Sequence, residues 1–345
     1  MKPSDEVVEV EIAGRTERTA YSFHRGDGAV FHPTDTSYER PGIISELVRG
    51  LVPVAPFIDK KTSIVAFGSC FADNISYHLH RCGYNVATKQ DAVAHISRAG
   101  DGIVNTFAVL QQFLWAWEGK QPTQELWHGY DAQVHGYDED IRIATRSMLN
   151  KTDVFVITLG LSEIWYDEPT GEVFWRAVPS DKFDASRHKF RVATQFENEQ
   201  NLHKILLAIR RHRPKARVIF TLSPIPLTAT FRPMSCVVAN AASKANLRSA
   251  IDEFMHIVEL CDKNVFYFPS YELVLSFNNP WMEDRRHVHR HIIDFIMATF
   301  ERYFCGGISD DELFHRFQQT VRLDSQVGLG GHWSVSRSNL KWSKP

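Results

Sequence analysis

The sequence is poor in features that would tie it to an extracellular or nucleic-acid setting. Among 345 residues there are five cysteines, Cys70, Cys82, Cys236, Cys261 and Cys305. Their number is odd, they are widely spaced and no Cys-x-x-Cys occurs, so neither a disulfide framework nor a zinc knuckle is indicated. A reduced, cytoplasmic protein is expected. Excess charge is missing too. The 39 Lys and Arg face 41 Asp and Glu, a formal charge of −2, which gives no argument for a nucleic-acid or anionic-membrane partner. No uninterrupted apolar run approaches the roughly 18 residues of a membrane span. No apolar stretch follows Met1-Lys2-Pro3-Ser4-Asp5-Glu6, so a signal peptide is not expected. Gly100-x-Gly102 has neither a third glycine nor a Gly-Lys-Ser/Thr, which removes the usual phosphate loop.

What is present begins at Ile64-Val65-Ala66-Phe67-Gly68-Ser69-Cys70-Phe71-Ala72. The apolar start with its β-branched pair reads as a buried strand, broken by Gly68. From Phe71 the apolar positions Phe71, Ile75, Leu79 and Cys82 recur at helical spacing. Ser69 and Cys70 therefore belong to the turn between the carboxyl end of a strand and a helix N-terminus. Open α/β sheets bind ligands at such strand ends, and a helix N-terminus favours a thiolate or an oxyanion.

Further along, Gly83–Thr88 predicts a glycine helix stop and a second short strand. Phe107–Glu118 has helical spacing, Trp127 and His128 fall in a loop, and Asp140–Lys151 reads as a helix. Asp153–Gly160 is continuously apolar, as expected of a parallel strand covered on both faces. Residues 166–190 form an insertion with room for a hairpin. Asn198–Arg211 and Ala239–Cys261 read as helices, Arg217–Ser223 and Val265–Phe268 as strands. Asp284–Phe304 reads as a helix opening with charge, 310–322 as a helical patch, and about 324–345 as a disordered tail. Alternating strands and helices imply a mostly parallel sheet between two helical layers. The expected organisation is an N-terminal arm over 1–60, an α/β domain over 61–305 and a partly disordered extension over 306–345.

Polar groups gather at the strand ends. Ser69 and Cys70 are followed by Gly100–Asn105, then by Ser162 and Glu163. Late in the chain, Asp284 and His287 are three apart, at what reads as a helix start. That spacing lets the carboxylate accept the imidazole Nδ1–H and leaves Nε2 as a base. An early nucleophile with a late Asp-x-x-His is one order in which a triad occurs. His287, His289 and His291 alternate but would not converge on a metal if helical. Lys244 and Arg248 read as solvated surface, with an anion site as the rival reading. The four cysteines other than Cys70 read as core residues.

Phe67-Gly68-Ser69-Cys70-Phe71-Ala72 resembles the signature of the GSCFA family, itself related to the SGNH (GDSL-like) hydrolases. The resemblance runs over about residues 60–305 and takes in Thr158-Leu159-Gly160, Ser223-Pro224-Ile225-Pro226-Leu227, Phe268-Pro269-Ser270-Tyr271-Glu272 and Asp284-Arg285-Arg286-His287-Val288. It implies a three-layer α/β/α sandwich, SGNH-hydrolase-like and flavodoxin-like in form, with an N-terminal arm and loop insertions. Aligned without a gap on the SGNH Gly-Asp-Ser block, Cys70 takes the nucleophile's place; a one-residue shift gives it to Ser69. The oxyanion glycine corresponds to Gly102, with Gly100 as the alternative. The SGNH Gly-x-Asn-Asp block reads Gly160-Leu161-Ser162-Glu163 here, so Ser162 stands where the oxyanion Asn is expected and Asn105 is the substitute. Asp284 and His287 match the Asp-x-x-His block without departure.

The resemblance implies an acyl-ester hydrolase or O-acyltransferase working through a covalent acyl-enzyme on a small-molecule or carbohydrate ester. Neither a metal nor a cofactor is implied, and acyl-CoA would enter only as the donor of a transferase. The sequence leaves the oligomeric state open. The rival class is a non-catalytic binding or scaffold protein on the same fold, favoured by the loss of Asn at Ser162.

Overall fold

The computed structural model describes residues 5–22, 29–90, 93–98, 102–123, 126–127, 134–135 and 138–330. It divides into two compact units, 1–43 and 44–345. The first holds an antiparallel hairpin, β1 (Asp5–Ile12) with β2 (Arg15–Ser22). Helix α1 (Ile43–Leu47) begins at the boundary.

The second unit is built on β3 (Ile64–Gly68), β6 (Val154–Leu159), β9 (Arg217–Leu222) and β10 (Val265–Phe268). They form one parallel sheet in the order β10-β9-β6-β3. Two minor antiparallel pairs complete the strands: β4 (Leu126–Trp127) with β5 (Val134–His135), and β7 (Glu163–Asp167) with β8 (His188–Val192). The latter pair flanks the segment 166–190, in which a hairpin was expected, rather than lying within it. The helices are α2 (Cys70–Arg81), α3 (Ala87–Gln90), α4 (His95–Arg98), α5 (Thr106–Glu118), α6 (Glu139–Lys151), α7 (Gln195–His212), α8 (Cys236–Val258), α9 (Ser270–Leu275), α10 (Arg290–Phe300) and α11 (Asp310–Gly330).

Every residue of β3 and β6 is buried. The reason is that side chains alternate between faces and both faces are covered. One face sends Val65, Phe67, Phe155, Ile157, Val218 and Phe220 into a core shared with Phe113 of α5, Leu202 of α7 and Phe254 of α8. The opposite face meets α2 and α10, where Phe268 packs edge-on against Phe300 at 5.2 Å. Burying an aromatic side chain of this size stabilises the fold by about 2–3 kcal/mol. The expected three-layer α/β/α architecture with a parallel sheet is thus present.

Five local expectations differ. Trp127, expected in a loop, lies in β4 and pairs with Val134 of β5. The strand expected at 83–88 contracts to a single bridge, Ile64 to Val86, because the chain turns at once into α3. Helix α10 begins at Arg290, not Asp284. The Asp284 side chain captures the N–H groups of Arg286 and His287, and Arg285 sits at φ +57°. An aspartate bonded to its own neighbouring backbone favours a turn over a helix. The helical patch at 310–322 continues to Gly330, and residues 331–345 lie outside the described residues. Cys261 is exposed, and Cys82, Cys236 and Cys305 are half-buried rather than core.

Candidate active site

Gly68 sets the geometry at the end of β3. Its φ is +130°, a region strained for any side chain, and a Cβ there would run into the Thr158 backbone, 2.8 Å from the carbonyl carbon. The close approach brings β3 against β6 where the chain leaves the sheet. Ser69 follows as the N-cap of α2. Its Oγ accepts the Phe71 N–H at 3.2 Å, and its own N–H donates to the Thr158 carbonyl at 3.0 Å. Ser69 is buried and engaged in folding. Cys70, the first residue of α2, is exposed and sits where the helix terminus favours negative charge.

A cleft of about 320 Å³ opens at this sheet edge, lined by Ser69, Cys70 and His287 together. The structure therefore joins groups 217 residues apart, and it does so from a turn: Trp281 bridges Val288, and the Met282 N–H donates to the His287 carbonyl at 2.8 Å. Within the turn, Asp284 Oδ2 bonds His287 Nδ1, and Oδ1 accepts the His287 N–H at 2.9 Å and the Arg286 N–H at 3.0 Å. Those hydrogen bonds, the His287 N–H first, hold the Asp284 carboxyl well below the usual carboxylate range. With Nδ1 on the carboxylate, Nε2 is the ring nitrogen left for proton transfer.

The expected oxyanion groups are placed otherwise. Ser162 is fully buried; its N–H donates to Ser243 Oγ at 2.8 Å, and its Oγ bonds the same residue. Asn105 caps α5: Oδ1 accepts the Ala108 N–H, and Nδ2 donates to the carbonyls of Phe174 and Trp175. Neither lines the cleft, and neither does Gly102. Gly100 lies outside the described residues, as does His128. Sequence spacing makes both polar side chains oxyanion candidates because it does not reveal the partners that already occupy them. Glu163 does line the cleft. Burial pushes its carboxyl up, and Thr230 Oγ1 donates to it at 2.9 Å.

Lys244 and Arg248 differ from the solvated surface expected of them. Lys244 is buried, not surface: Nζ donates to the Gly160 carbonyl at 2.6 Å and the Ser223 carbonyl at 2.7 Å. Both carbonyls belong to residues that line the cleft. Burial pulls this lysine down to about 7, and the charge of Cys70 acts in the opposite sense. A legible signal existed. Lys244 shares the α8 face of Leu247 and Ile251, three and seven residues on, both fully buried. Arg248 is not an anion site either, since it is occupied by Glu272 at 2.6 Å and Asp252 at 2.9 Å. Across the cleft stand Trp165, Phe190 and Phe231, with Trp165 and Phe231 edge-on at 4.7 Å. They come from both strands of the inserted hairpin and from the loop after β9. Arg286 joins them with an Nε–H that is buried without a protein partner. The His287–His291 alternation falls across the turn and the start of α10, where His289 and His291 stack at 5.4 Å.

Residues 63–300, about two thirds of the chain, match the GSCFA family. The chain belongs to the GSCFA family. This GSCFA protein has no match among curated protein sequences. Among solved structures it is similar to a carbohydrate acetylesterase family member from Sinorhizobium meliloti, at 12% identity and TM-score 0.32, over 70% of this chain and 95% of that one. It is also similar to Est2A, an acetyl xylan esterase from the rumen bacterium Butyrivibrio proteoclasticus, at 10% identity and TM-score 0.35, over 74% and 66%. Overlap this low assigns no residue a role in the GSCFA chain. No described helix is long and apolar enough to cross a membrane.

Proposed function

We propose that this GSCFA protein is an ester hydrolase that uses Cys70 as nucleophile, His287 as base and Asp284 to orient the imidazole. The observation that carries the reading is the shared cleft of Cys70 and His287, with Asp284 bonded to the ring nitrogen turned away from proton transfer. Cys70 is preferred to Ser69 because the serine hydroxyl already serves the helix cap and is buried, whereas the thiol is exposed.

In this scheme Cys70 Sγ attacks the acyl carbonyl and its proton passes to His287 Nε2. The tetrahedral oxyanion forms at the N-terminus of α2. Its collapse breaks the C–O ester bond, His287 protonates the departing alkoxide, and a thioester is left on Cys70. Water then attacks, giving its proton to His287, and the carboxylic acid and free thiol are released. A hydroxyl in place of water would yield acyl transfer, with the same residues in the same roles. The mixed lining suits a small O-acylated carbohydrate or related hydroxyl compound. The trio Trp165, Phe190 and Phe231 offers apolar faces, while Glu163 and Arg286 offer groups to bind hydroxyls and carbonyls.

The test is turnover of short-chain p-nitrophenyl and sugar acetates, with and without alcohol acceptors. Cys70→Ala is expected to lower kcat/KM by roughly 10³-fold or more, and a thioester on Cys70 is expected in quenched samples by mass spectrometry. Full activity in Cys70→Ala would remove the cysteine mechanism, and full activity in His287→Ala would remove the triad altogether.

A further inference from the structure

The opposite end of α2 carries a second cluster that the reaction does not use. His78 and Cys82 lie one helical turn apart at the end of α2. Glu301 reaches them from the π-helical turn Glu301–Cys305 that follows α10. His78 Nε2 is 2.9 Å from Glu301 Oε2, Cys82 Sγ is 3.6 Å from the same oxygen, and Cys82 Sγ is 3.8 Å from His78 Nε2.

We propose that His78, Cys82 and Glu301 bind a divalent transition metal of the zinc class. The triangle of donors is the main argument. A tetrahedral ion with bonds of about 2.0–2.3 Å separates such donors by about 3.3–3.6 Å, and the three edges straddle that range. A thiol at 3.6–3.8 Å from its partners is loosely placed for a hydrogen bond but well placed for a shared ligand. The chemistry fits as well, since a thiolate, an imidazole and a carboxylate together suit zinc rather than calcium or magnesium.

The surroundings hold these donors in place. The side chains of His78 and Glu301 are 18% and 10% exposed. The turn is pinned by the Phe304 carbonyl, which accepts the N–H groups of Phe57 and Ile58 at 3.0 and 2.9 Å. Gly307 packs against Glu301 so closely that a Cβ there would strike the carboxylate and fall 2.7 Å from the Tyr84 hydroxyl. That hydroxyl donates to Glu301 Oε1 at 3.4 Å. The three donors leave the fourth tetrahedral position to a water. Lys60 opposes a cation; its Nζ stands 3.4 Å from the Tyr84 ring centre and bonds the Cys82 carbonyl at the exposed rim. A doubly charged ion bound by thiolate and carboxylate makes a neutral set, so the lysine has only a neutral complex to tolerate. The bound ion would clasp the end of α2 to the turn after α10. It would lie about 12–18 Å from Cys70, the rise of α2 between that residue and His78 or Cys82, so the proposal stands or falls independently of the esterase reading.

The purified full-length chain, stripped of metal and reduced, is titrated with Co²⁺ under anaerobic conditions. One equivalent is expected to give thiolate-to-cobalt charge-transfer absorption that Zn²⁺ displaces. Glu301→Gln is expected to weaken Co²⁺ affinity by at least about tenfold, Cys82→Ser to abolish the absorption, and Cys70→Ala to leave it unchanged. In the unmutated protein, Zn²⁺ is expected to protect Cys82 from alkylation in a peptide-mapped assay, with Cys261 as the unprotected control, so the result does not depend on how the variants fold. No charge-transfer band, a band retained in Cys82→Ser, or a Cys82 alkylated equally fast with and without Zn²⁺ would each overturn the site.

Discussion

Ser69 and Cys70 are neighbours with separate duties. The serine hydroxyl satisfies a helix N–H that otherwise has no partner within the helix, while the cysteine faces the cleft. Ser69→Ala is therefore expected to cost about 1 kcal/mol of stability, read from urea midpoints, with kcat largely kept. A collapse of turnover with unchanged stability would move the nucleophile to the serine. In the proposed mechanism Asp284 acts through His287 rather than on substrate. Asp284→Asn is expected to leave KM in place and lower kcat by roughly 10³-fold or more, because the amide no longer favours the Nδ1–H tautomer; a kcat within a few-fold of the parent would rule that role out. The placement of Cys70 at the start of α2 and the bonding of Asp284 to His287 were readable in the sequence because their signal is local. Ser162 and Asn105 were not. Their hydroxyl and amide are satisfied by Ser243, Phe174 and Trp175, far away in the chain.

Elements deliver these residues to one place through the register of the sheet. Gly68 pairs with Thr158, Thr158 with Thr221 and Leu159 with Leu222, so three strands end along one edge and their following residues form the cleft floor. Gly68→Ala is expected to destabilise the protein by about 3 kcal/mol or more, since it combines a disfavoured φ with a collision against backbone that cannot move aside. Thermal unfolding reads this directly, and a shift of a degree or less would mean that the two strands separate more easily than their register suggests. The four strands of the parallel sheet and helices α5 to α8 were legible from continuous or periodic apolar patterns. The Asp284 turn was not, because its charged residues suit a helix start equally well until Asp284 is seen bonding its own backbone.

For the molecule as a whole, Lys244 is the tie whose effect is global. It joins α8 to the ends of β6 and β9. Unfolded, it titrates near 10.5; folded, burial brings it to about 7. Between those values the unfolded chain binds more protons, so the lysine's contribution to stability rises with pH across that window. Below about 7 it is charged in both states, and the cost of burying the charge is fully present. The stability of the parent relative to Lys244→Met is thus expected to increase from pH 7 to pH 10, by up to about 1.4 kcal/mol per pH unit. A difference that stays flat in urea titrations over that range would show that the folded lysine keeps its ordinary affinity for protons.

By itself the sequence determined the layered α/β plan, the strand–turn–helix around Cys70 and the pairing of Asp284 with His287. Each depends on residues within a turn or two of one another, where covalent spacing dictates geometry. Only the tertiary structure decided that Cys70 and His287 share a cleft, that Lys244 lies beneath its floor, and that His78, Cys82 and Glu301 converge. Those meetings depend on how the sheet and its helices pack. A polar side chain's role follows from which partners the packing supplies, and that is fixed across the chain rather than along it.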